Sequence, residues 1–532
     1  MRIRDMLPDS SVVKGYLNED RALGSLSSGS LHTESLKFSC SFSERSPEVR
    51  KAVVGEISAQ YKRSGLPIPE HLSDLLIPSS RTVTTGHQVV IGTGPIFSIY
   101  KALTAVALAH RLSVEWDTPV LPIFWMATED HDFAEVASLT VAGGAHFTWD
   151  GPPEMQGGDY PVGRMNVAGL PEVLKDWAAG AGLPEGWAEG LIADTHGSLA
   201  DSFRRWMHRA LGDTALILID ADAPALKSFF SSAMSRELSG DGIESDVLKA
   251  NQTLASAGFK PQAHVRSVNL FQFIDGRRIR VEAPAEGVSK VPDVDTADYS
   301  PNALLRPLYQ STLLPDIAAV GGPGETAYWL QLRGAFERAG MMMPVLVPRH
   351  GGLIIAPALY LTKLTLGLGI GKRDLDREIQ LSEAELTREV IGRALPDPWL
   401  ERREELQAWV EKSAALFAEM DQALEPTARG SGVRILKEME KLEMRLRRTV
   451  KAQRPDLLEA IEDWFSVVSP GGVPQERALN YFELAAAWDS SDMHGLANEI
   501  LSSIQAQLGR DLQPSFHLID RHEQEWDPIL FA

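Results

Sequence analysis

Three segments of the chain share one order of elements: a short apolar strand, a tight turn and then a helix. These segments are 82–112, 214–224 and 317–339, and two further apolar runs of strand length lie at 119–127 and 344–347. Strands that alternate with helices pair in parallel through right-handed crossovers. The order therefore predicts an α/β fold with a doubly wound core, in which ligands bind beyond the carboxyl ends of the strands.

Apolar residues in the later part of the chain follow the spacing of two coiled-coil helices. Each set steps by four and three residues in alternation. The sets are Leu406, Val410, Ser413, Phe417, Met420 and Leu424, then Ile435, Met439, Leu442, Leu446 and Thr449. Pro426 and Gly430-Ser431-Gly432 lie between them, which predicts an antiparallel helical hairpin with its turn there. The seam either closes on the hairpin itself or serves a dimer interface.

These patterns predict three domains. The core is expected at 1–375, with connecting insertions near 145–200 and 285–305; the coiled-coil hairpin is expected at 376–455. The segment 456–532 is then expected to pack back on the core. The apolar stretch 353–371 contains Pro357 and Lys363, so we expect a buried element there rather than a membrane span.

The charge and the cysteine content exclude several classes of protein. A formal charge of −20 repels nucleic-acid phosphates and anionic membranes, so neither is an expected partner. The one cysteine, Cys40, allows no disulfide within the chain and no cysteine-rich zinc site. The N-terminus lacks the apolar run of a signal peptide, and we expect a cytoplasmic protein without a bound structural metal.

The first candidate site is the glycine-rich stretch between the first strand and its helix. Gly86-His87-Gln88 and Gly92-Thr93-Gly94 place backbone N–H groups and polar side chains where a helix start favours an anion. Tyr100 and Lys101 follow inside an apolar helix. Lys101 either reaches water along that helix or faces the same anion.

The second candidate site is the run Glu129-Asp130-His131-Asp132, directly after the strand at 119–127. Three carboxylates and a histidine repel one another unless a cation lies among them. That cation could be a metal, an arginine or a substrate ammonium, and the alternative interpretation is a solvated acidic loop.

The third candidate site is the turn Gly321-Gly322-Pro323-Gly324-Glu325 and the helix that it opens. Glu325, Tyr328 and Gln331 lie along one side of that helix and suit the wall of a pocket. An ordinary strand-to-helix turn explains the same residues. Walker A, serine-hydrolase and zinc-protease motifs are absent from the sequence.

Together these stretches resemble the BshC family, the cysteine ligases of bacillithiol biosynthesis. The resemblance covers most of the chain, in the family's order, although the family usually has glutamine at His87 and a polar residue and serine at His350-Gly351. The matching blocks are Thr85-Gly-His-Gln, Gly94-Pro, Tyr100-Lys101-Ala, Pro122-Ile-Phe-Trp-Met-Ala-Thr-Glu129-Asp-His-Asp-Phe133, Ser300–Pro315, Gly321–Leu332, Pro344–Arg349 and Gly472–Asn480.

The resemblance implies a Rossmann-like core related to class I aminoacyl-tRNA synthetases, connecting insertions, a coiled-coil appendage and a homodimer. It implies that cysteine is joined to the amine of glucosaminyl-malate, and we infer ATP as activator, accompanied by Mg²⁺. Rival interpretations are another adenylate-forming ligase or nucleotidyl transferase, and a coiled-coil scaffold with a vestigial pocket.

The implied reaction suggests a role for each candidate residue. We expect His87, Lys101 and the backbone of Gly86, Gly92, Thr93, Gly94, Gly322 and Gly324 at the phosphates, with Arg477 and Asn480. We expect Glu129, Asp130 and Asp132 at an ammonium, and His131 as general base. Arg306, Arg349 or Arg477 is expected to clamp a malate carboxylate. Gln88, Tyr100, Glu325, Tyr328 and Gln331 complete the predicted substrate pocket.

Overall fold

The structure, a computed structural model, describes residues 2–155, 158–212, 214–282, 294–356, 368, 375–509 and 511–520. The described residues form two compact units. The first unit contains residues 2–356 and 473–520, and the second contains residues 375–472. No helix among the described residues combines the length and the apolar character needed to cross a membrane.

A parallel sheet forms the centre of the first unit. The strands among the described residues are β1 (Arg81–Gln88), β2 (Val120–Ala127), β3 (Ser138–Thr140), β4 (His146–Thr148), β5 (Ile217–Asp220), β6 (Leu270–Ile274), β7 (Arg277–Arg280), β8 (Tyr299–Pro301), β9 (Asp316–Gly321), β10 (Val345–Pro348), β11 (Gly351–Ile355) and β12 (Phe516–Asp520). The central sheet has the order β5-β2-β1-β9-β10, and every neighbouring pair is parallel. When these five strands alone are numbered by their order along the chain, the sheet has the order 3-2-1-4-5. This is the order of a Rossmann-like fold, which confirms the predicted core.

Helices surround this sheet and supply its core. Helix Phe97–Trp116 contacts β1 and β2 and is buried along most of its length. It ends where Asp117 takes a left-handed conformation, with φ of 50°. The other helices of the first unit are Ile3–Met6, Val12–Leu17, Thr33–Cys40, Pro47–Arg63, Phe133–Val136, Leu170–Gly180, Glu185–Ala193, Leu199–Leu211, Pro224–Lys227, Ser231–Leu238, Glu244–Ser256, Arg306–Leu313, Pro323–Trp329, Arg333–Arg338, Gln475–Ala478, Tyr481–Trp488 and Gly495–Gln507.

The structure corrects one predicted turn and one predicted helix. Thr85-Gly86-His87-Gln88 continues β1 instead of leaving the sheet, because each of these residues pairs with β2. The helix predicted up to residue 339 is divided into Pro323–Trp329 and Arg333–Arg338. The connecting insertion predicted near 285–305 contains β8, which joins β6 and β7 in a separate antiparallel sheet.

The C-terminal part of the first unit is tied to the core by long-range contacts. β12 pairs in parallel with β11, a strand that the sequence patterns did not predict. Glu483 Oε1 accepts a hydrogen bond of 2.7 Å from the backbone N–H of Ala142. The first unit resumes at residue 473 rather than at the predicted 456, because helix Pro455–Val468 belongs to the second unit, where it contacts helix Glu383–Arg393.

The second unit contains a long helical hairpin. Its helices are Leu375–Glu378, Glu383–Arg393, Asp397–Met420, Glu425–Gln453 and Pro455–Val468. The predicted position of the turn is wrong, since Gly430-Ser431-Gly432 lies inside Glu425–Gln453. Pro426 occupies the first turn of that helix, where proline costs no hydrogen bond. The connection is formed by residues 421–424.

The seam of the hairpin also differs from its predicted register on the second helix. A run of positions spaced by four and three residues is buried or half-buried on this helix: Gly432, Leu436, Met439, Glu443, Leu446 and Val450. Met439 and Leu446 agree with the predicted set, whereas Leu442 is 54% exposed. Gly432 lies so close to Val410 of the facing helix that an added Cβ would overlap its Cγ1.

We expect Gly432→Ala to destabilise the hairpin relative to Gly430→Ala. Alanine favours a helix over glycine by about 1 kcal/mol at either position. At Gly432 the overlap with Val410 costs about 1–3 kcal/mol and outweighs that gain. At Gly430, nothing lies within 4 Å of the added Cβ. Urea unfolding of the full chain, followed by circular dichroism, checks the difference, and equal stability of the two variants would contradict this seam.

Candidate active site

A cavity of about 710 Å³ opens at the carboxyl ends of the central strands. All five strands contribute to it directly or through the loop that follows. The contributing segments are 86–88 from β1, 125–131 from β2 and its loop, 221–222 after β5, 322–325 after β9 and Arg349 after β10. This is the crevice in which doubly wound sheets bind ligands, where the strand order reverses beside the first strand.

Lys101 and Glu325 form a buried ion pair at the wall of this cavity. Lys101 Nζ lies 2.5 Å from Glu325 Oε2 and also donates to the carbonyl of Gly86. Burial raises the pKa of Glu325, but Lys101 and nearby donors outweigh burial and hold that pKa below its ordinary value. The structure thus corrects the anion-facing role predicted for Lys101, because Glu325 already compensates its charge.

Two of the histidines that line the cavity, His87 and His131, have opposite hydrogen-bonding roles. His87 Nδ1 lies 2.9 Å from the carbonyl oxygen of Gln88, so Nδ1 carries the hydrogen and Nε2 is an acceptor. His131 Nδ1 lies 3.0 Å from Arg278 Nη1. A guanidinium only donates, so His131 Nδ1 accepts and its neutral ring carries hydrogen on Nε2. Both roles are the reverse of those predicted, which were a phosphate donor at His87 and a base at His131.

Burial keeps both rings neutral. Burial, with Lys101 as the next contribution, lowers the pKa of His87 to about 4. Burial and then Arg278 lower the pKa of His131, and Asp130 opposes them. Neutral imidazoles at physiological pH follow, and their tautomers are set by the partners just named.

The carboxylates of the acidic loop after β2 lie beside cationic side chains of the protein itself. Glu129 Oε1 lies 2.6 Å from Lys227 Nζ, and Lys227 Nζ lies 2.7 Å from Asp222 Oδ1. Asp130 Oδ1 lies 3.7 Å from Arg278 Nη1. The sequence left open whether a metal, an arginine or a substrate ammonium balances these carboxylates. The structure places the protein cations Lys227 and Arg278 beside them. Among the described residues, no group of three or more His, Cys, Asp or Glu side chains is placed to hold a metal ion.

The arginines that line the cavity differ in whether other side chains hold them. Arg349 is paired with Glu476 through two hydrogen bonds of 2.6 and 3.0 Å, and Arg306 donates to Tyr328 Oη at 3.0 Å. Two other lining arginines, Arg280 and Arg477, have no side-chain hydrogen bond or ion pair with any described residue. These two guanidinium groups are available to an anionic ligand.

Each available arginine stands over an aromatic ring. Arg477 Cζ lies 6.0 Å from the ring centroid of Phe97. Arg280 Cζ lies 4.9 Å from that of Phe271, which also carries Arg278 at 3.9 Å. The rings support the guanidinium groups without neutralising them.

The predicted phosphate turn at residues 92–94 does not reach the cavity. Gly92 and Gly94 adopt φ of 66° and 68°, and Thr93 is fully buried. Asn480 Nδ2 donates to the carbonyl of Gly94 at 3.1 Å, and a Cβ on Gly92 would lie 2.8 Å from the same nitrogen. The turn and Asn480 therefore join the C-terminal segment to the core, and their predicted phosphate role is corrected.

Three further predicted residues do not line the cavity and are held by structural contacts instead. Asp132 Oδ1 caps helix Phe133–Val136 by accepting from the N–H of Glu135. Tyr100 is buried against Gly352. Gln331 hydrogen-bonds both the N–H and the carbonyl of Ala263, a residue that lines the cavity. Gln331 therefore shapes the wall without facing the ligand.

His350, at the position where the sequence departs from the family, is also remote from the cavity. Its Nδ1 lies 2.7 Å from His517 Nε2 of β12. Burial, with His517 and Arg349, lowers the pKa of His350 to about 3. The departure therefore alters the junction of β11 and β12 rather than an anion contact.

The cavity contains functional candidates that the sequence patterns missed. These are Asp222 after β5, and Phe271, Arg278 and Arg280 on the antiparallel sheet. Lys227 lies behind this lining, where it pairs with Asp222 and Glu129. Asp220-Ala-Asp222 follows an apolar strand, so the rule that selected Glu129 could have selected it. Arg277-Arg-Ile-Arg280 is a basic run in an acidic chain, but only the tertiary structure brings it to the cavity.

Two regions of this chain match one known protein family. Residues 1–350 match the family described as "Bacillithiol biosynthesis BshC, N-terminal Rossmann-like domain". Residues 371–506 match "Bacillithiol biosynthesis BshC, C-terminal coiled-coil domain". The chain belongs to the BshC family. The family's coiled-coil region includes residues 473–506, which the structure places in the first unit.

Relatives within the BshC family align with most of the chain. A protein of Cytophaga hutchinsonii is 32% identical over 464 residues, which cover 82% of this chain and 84% of the relative. A protein of Christiangramia forsetii is 26% identical, with 85% and 87% covered. A protein of Chlorobaculum tepidum is 28% identical, with 77% and 79% covered. Each bears the name "Putative cysteine ligase BshC".

Proposed function

We propose that this protein joins L-cysteine to the amine of glucosaminyl-malate by forming an amide bond, in the last step of bacillithiol synthesis. The names of its BshC relatives support the cysteine ligase class. The observation that carries the proposal is the charge pattern of the cavity. Arg280 and Arg477 have no carboxylate partner among the described residues, whereas Glu129 and Asp130 add carboxylates whose protein cations are Lys227 and Arg278. Such a site suits substrates that bear both anionic groups and an ammonium.

Amide formation from a carboxylate is uphill in water, so the carboxyl group must be activated. We propose activation by ATP: a carboxylate oxygen of cysteine bonds to the α-phosphorus, and pyrophosphate leaves. The sugar amine then forms the C–N bond while the C–O bond to AMP breaks. Mg²⁺ would accompany the nucleotide, with its ligands mainly from phosphates and water, because Mg²⁺ keeps several waters in such sites.

We assign the phosphates of ATP to one of the two available arginines and the malate carboxylates to the other. Arg477, beside Phe97 and the β1 end of the cavity, is assigned to the phosphates. Arg280, on β7, is assigned to the malate carboxylates in place of Arg349 and Arg306, whose side chains already bind Glu476 and Tyr328. Charge-assisted hydrogen bonds would form in both places.

The decisive experiment is a mass-spectrometric assay with purified protein, cysteine, glucosaminyl-malate and ATP, in which each compound is omitted in turn. Product that requires all three compounds supports the ligase and its activation by ATP. Product without ATP leaves the ligase but rejects adenylate formation. Absence of product in the complete mixture rejects the proposed substrate pair.

We expect Arg477→Met to reduce kcat/KM for ATP by about 10- to 100-fold, the equivalent of one charge-assisted hydrogen bond. Arg477→Lys should retain part of the activity because it keeps the charge. Arg63→Met is the matched control, since Arg63 is 60% exposed on helix Pro47–Arg63. Initial rates at varied ATP test this assignment; a change confined to glucosaminyl-malate would transfer Arg477 to the other substrate.

Exposed apolar side chains of the second unit support the further proposal of a homodimer. Trp409, Leu416 and Met420 of one helix are 56%, 55% and 76% exposed. Burial of such a patch between two copies would remove it from water. Analytical ultracentrifugation measures the mass directly, and a monomer at micromolar concentration would reject the proposal.

A further inference from the structure

We propose that Glu129 is the catalytic base that takes the proton from the attacking amine, and that Lys227 is a positioning residue that holds Glu129 in place. This inference rests on the proposed function and deepens it. It transfers the base from His131, where the sequence predicted it, to a carboxylate held by side chains that the sequence patterns missed.

The geometry of Glu129 leaves it able to accept a proton from a ligand. It follows β2 by two residues and lines the cavity, and its side chain is 14% exposed. Oε1 is buried 2.6 Å from Lys227 Nζ, which compensates its charge. Because Oε1 is enclosed in this way, we assign Oε2 to the N–H of an amine bound in the cavity.

Lys227 is fixed on the side of Glu129 that faces the protein. Its side chain is fully buried at the end of helix Pro224–Lys227, and Nζ donates to Asp222 Oδ1 at 2.7 Å. Asp222 in turn accepts two hydrogen bonds of 2.6 and 2.7 Å from Arg164. A lysine locked in this way can orient Glu129 but has no freedom to approach the substrate.

Two other candidate bases, His87 and His131, are less suited to accept this proton. His131 accepts from Arg278 through Nδ1, so its remaining nitrogen is a donor. His87 offers a lone pair at Nε2, but its pKa of about 4 makes it a weak proton acceptor at neutral pH. Glu129 is the group of the three that combines an acceptor with a suitable proton affinity.

That proton affinity follows from the surroundings of Glu129. Burial raises the pKa of Glu129 to about 7, Lys227 opposes the rise and Asp222 adds to it. A base with a pKa near the working pH is the most effective in proton transfer. The titratable and charged groups around Glu129 are Lys227, Asp222 and Arg278, with Arg164, Asp220 and Tyr309 farther out.

The proposed step balances as follows. The neutral amine nitrogen forms a bond to the activated carbonyl carbon of cysteine, and the bond from that carbon to the leaving oxygen breaks. The leaving group departs with the electron pair of the broken bond. The nitrogen sheds one proton to the Glu129 carboxylate, and the protonated Glu129 returns it to water after product release.

The test is the pH dependence of amide formation in wild type, Glu129→Gln, Lys227→Met and Lys227→Arg. We expect Glu129→Gln to lower kcat by at least about 100-fold, as for loss of a general base, and to remove the acid limb attributed to Glu129. Loss of the Lys227 cation raises the pKa of Glu129, so Lys227→Met should move that limb to higher pH. Lys227→Arg keeps the cation and should leave the limb near its wild-type position. A limb that stays in Glu129→Gln and is lost in His131→Gln would overturn the proposal.

A second readout separates this inference from the proposed reaction. The infrared carboxyl band lost in Glu129→Gln should titrate near pH 7 in the wild-type protein and at higher pH in Lys227→Met. This titration requires no turnover. An inactive wild-type protein with the expected titration would reject the substrates alone, whereas a band that does not respond to Lys227→Met would reject the role of Lys227.

Discussion

Replacement of Glu476 by alanine is expected to lower the free energy of unfolding of the first unit by about 3–5 kcal/mol at pH 7, because it leaves the Arg349 cation buried without a partner. The side chain of Arg349 is 5% exposed and that of Glu476 15%. Both guanidinium nitrogens that face Glu476 donate to it, and the N–H of Gly352 adds a third hydrogen bond at 3.3 Å. Urea unfolding followed by tryptophan fluorescence measures the loss.

The pH dependence of this loss has a defined sign. Burial raises the pKa of Glu476, but Arg349 outweighs burial, and the pKa lies below its ordinary value of 4.5. A lowered pKa contributes stability above the unfolded-state value, and that stability is lost as the pH falls through the folded-state value. The difference between wild type and Glu476→Ala should therefore narrow below pH 4.5.

Two further variants test whether the unpaired cation causes this loss of stability. Glu499→Ala removes an exposed carboxylate from helix Gly495–Gln507 of the same segment and should change stability by less than about 0.5 kcal/mol. Arg349→Met combined with Glu476→Gln removes both charges and should recover part of the loss. If the double variant were as unstable as Glu476→Ala, an unpaired buried cation could not be the cause.

Gly352→Ala is expected to destabilise the junction between β11 and β12 by about 3 kcal/mol. An added Cβ would overlap Tyr100 Oη and lie 2.6 Å from the backbone oxygen of His517. That oxygen belongs to β12, whose residue His517 pairs with Gly352, so the backbone cannot withdraw without loss of the pairing. Thermal unfolding and hydrogen exchange of the C-terminal strand would both report the change.

The matched control is Gly55→Ala, in the middle of helix Pro47–Arg63. Nothing lies within 4 Å of its added Cβ, and alanine should stabilise the helix by about 0.5–1 kcal/mol. Opposite signs are therefore expected for the same chemical change at two glycines. A stable Gly352→Ala protein with native exchange of β12 would show that β11 and β12 do not approach as described.

Local patterns in the sequence were sufficient to predict the central doubly wound core and the presence of a helical hairpin. The order of strand, turn and helix predicted the doubly wound core, since apolar runs bounded by turn residues report element type locally. The same order placed Glu129, His131 and Glu325 after strand ends, and the cavity does lie there. Blocks from Thr85 to Asn480 indicated the BshC family, to which residues 1–350 belong.

The tertiary structure alone decided what each side chain does. Lys101 is paired with Glu325, and His131 with Arg278, although 224 and 147 positions separate the partners. The local sequence Gly430-Ser431-Gly432 is typical of a turn, yet these residues lie inside a helix and Gly432 packs against Val410. Hydrogen-bond partners set tautomers, charges and proton affinities, and most of these partners are distant along the chain. Spacing in the sequence determined where the site would form, and long-range pairing determined its chemistry.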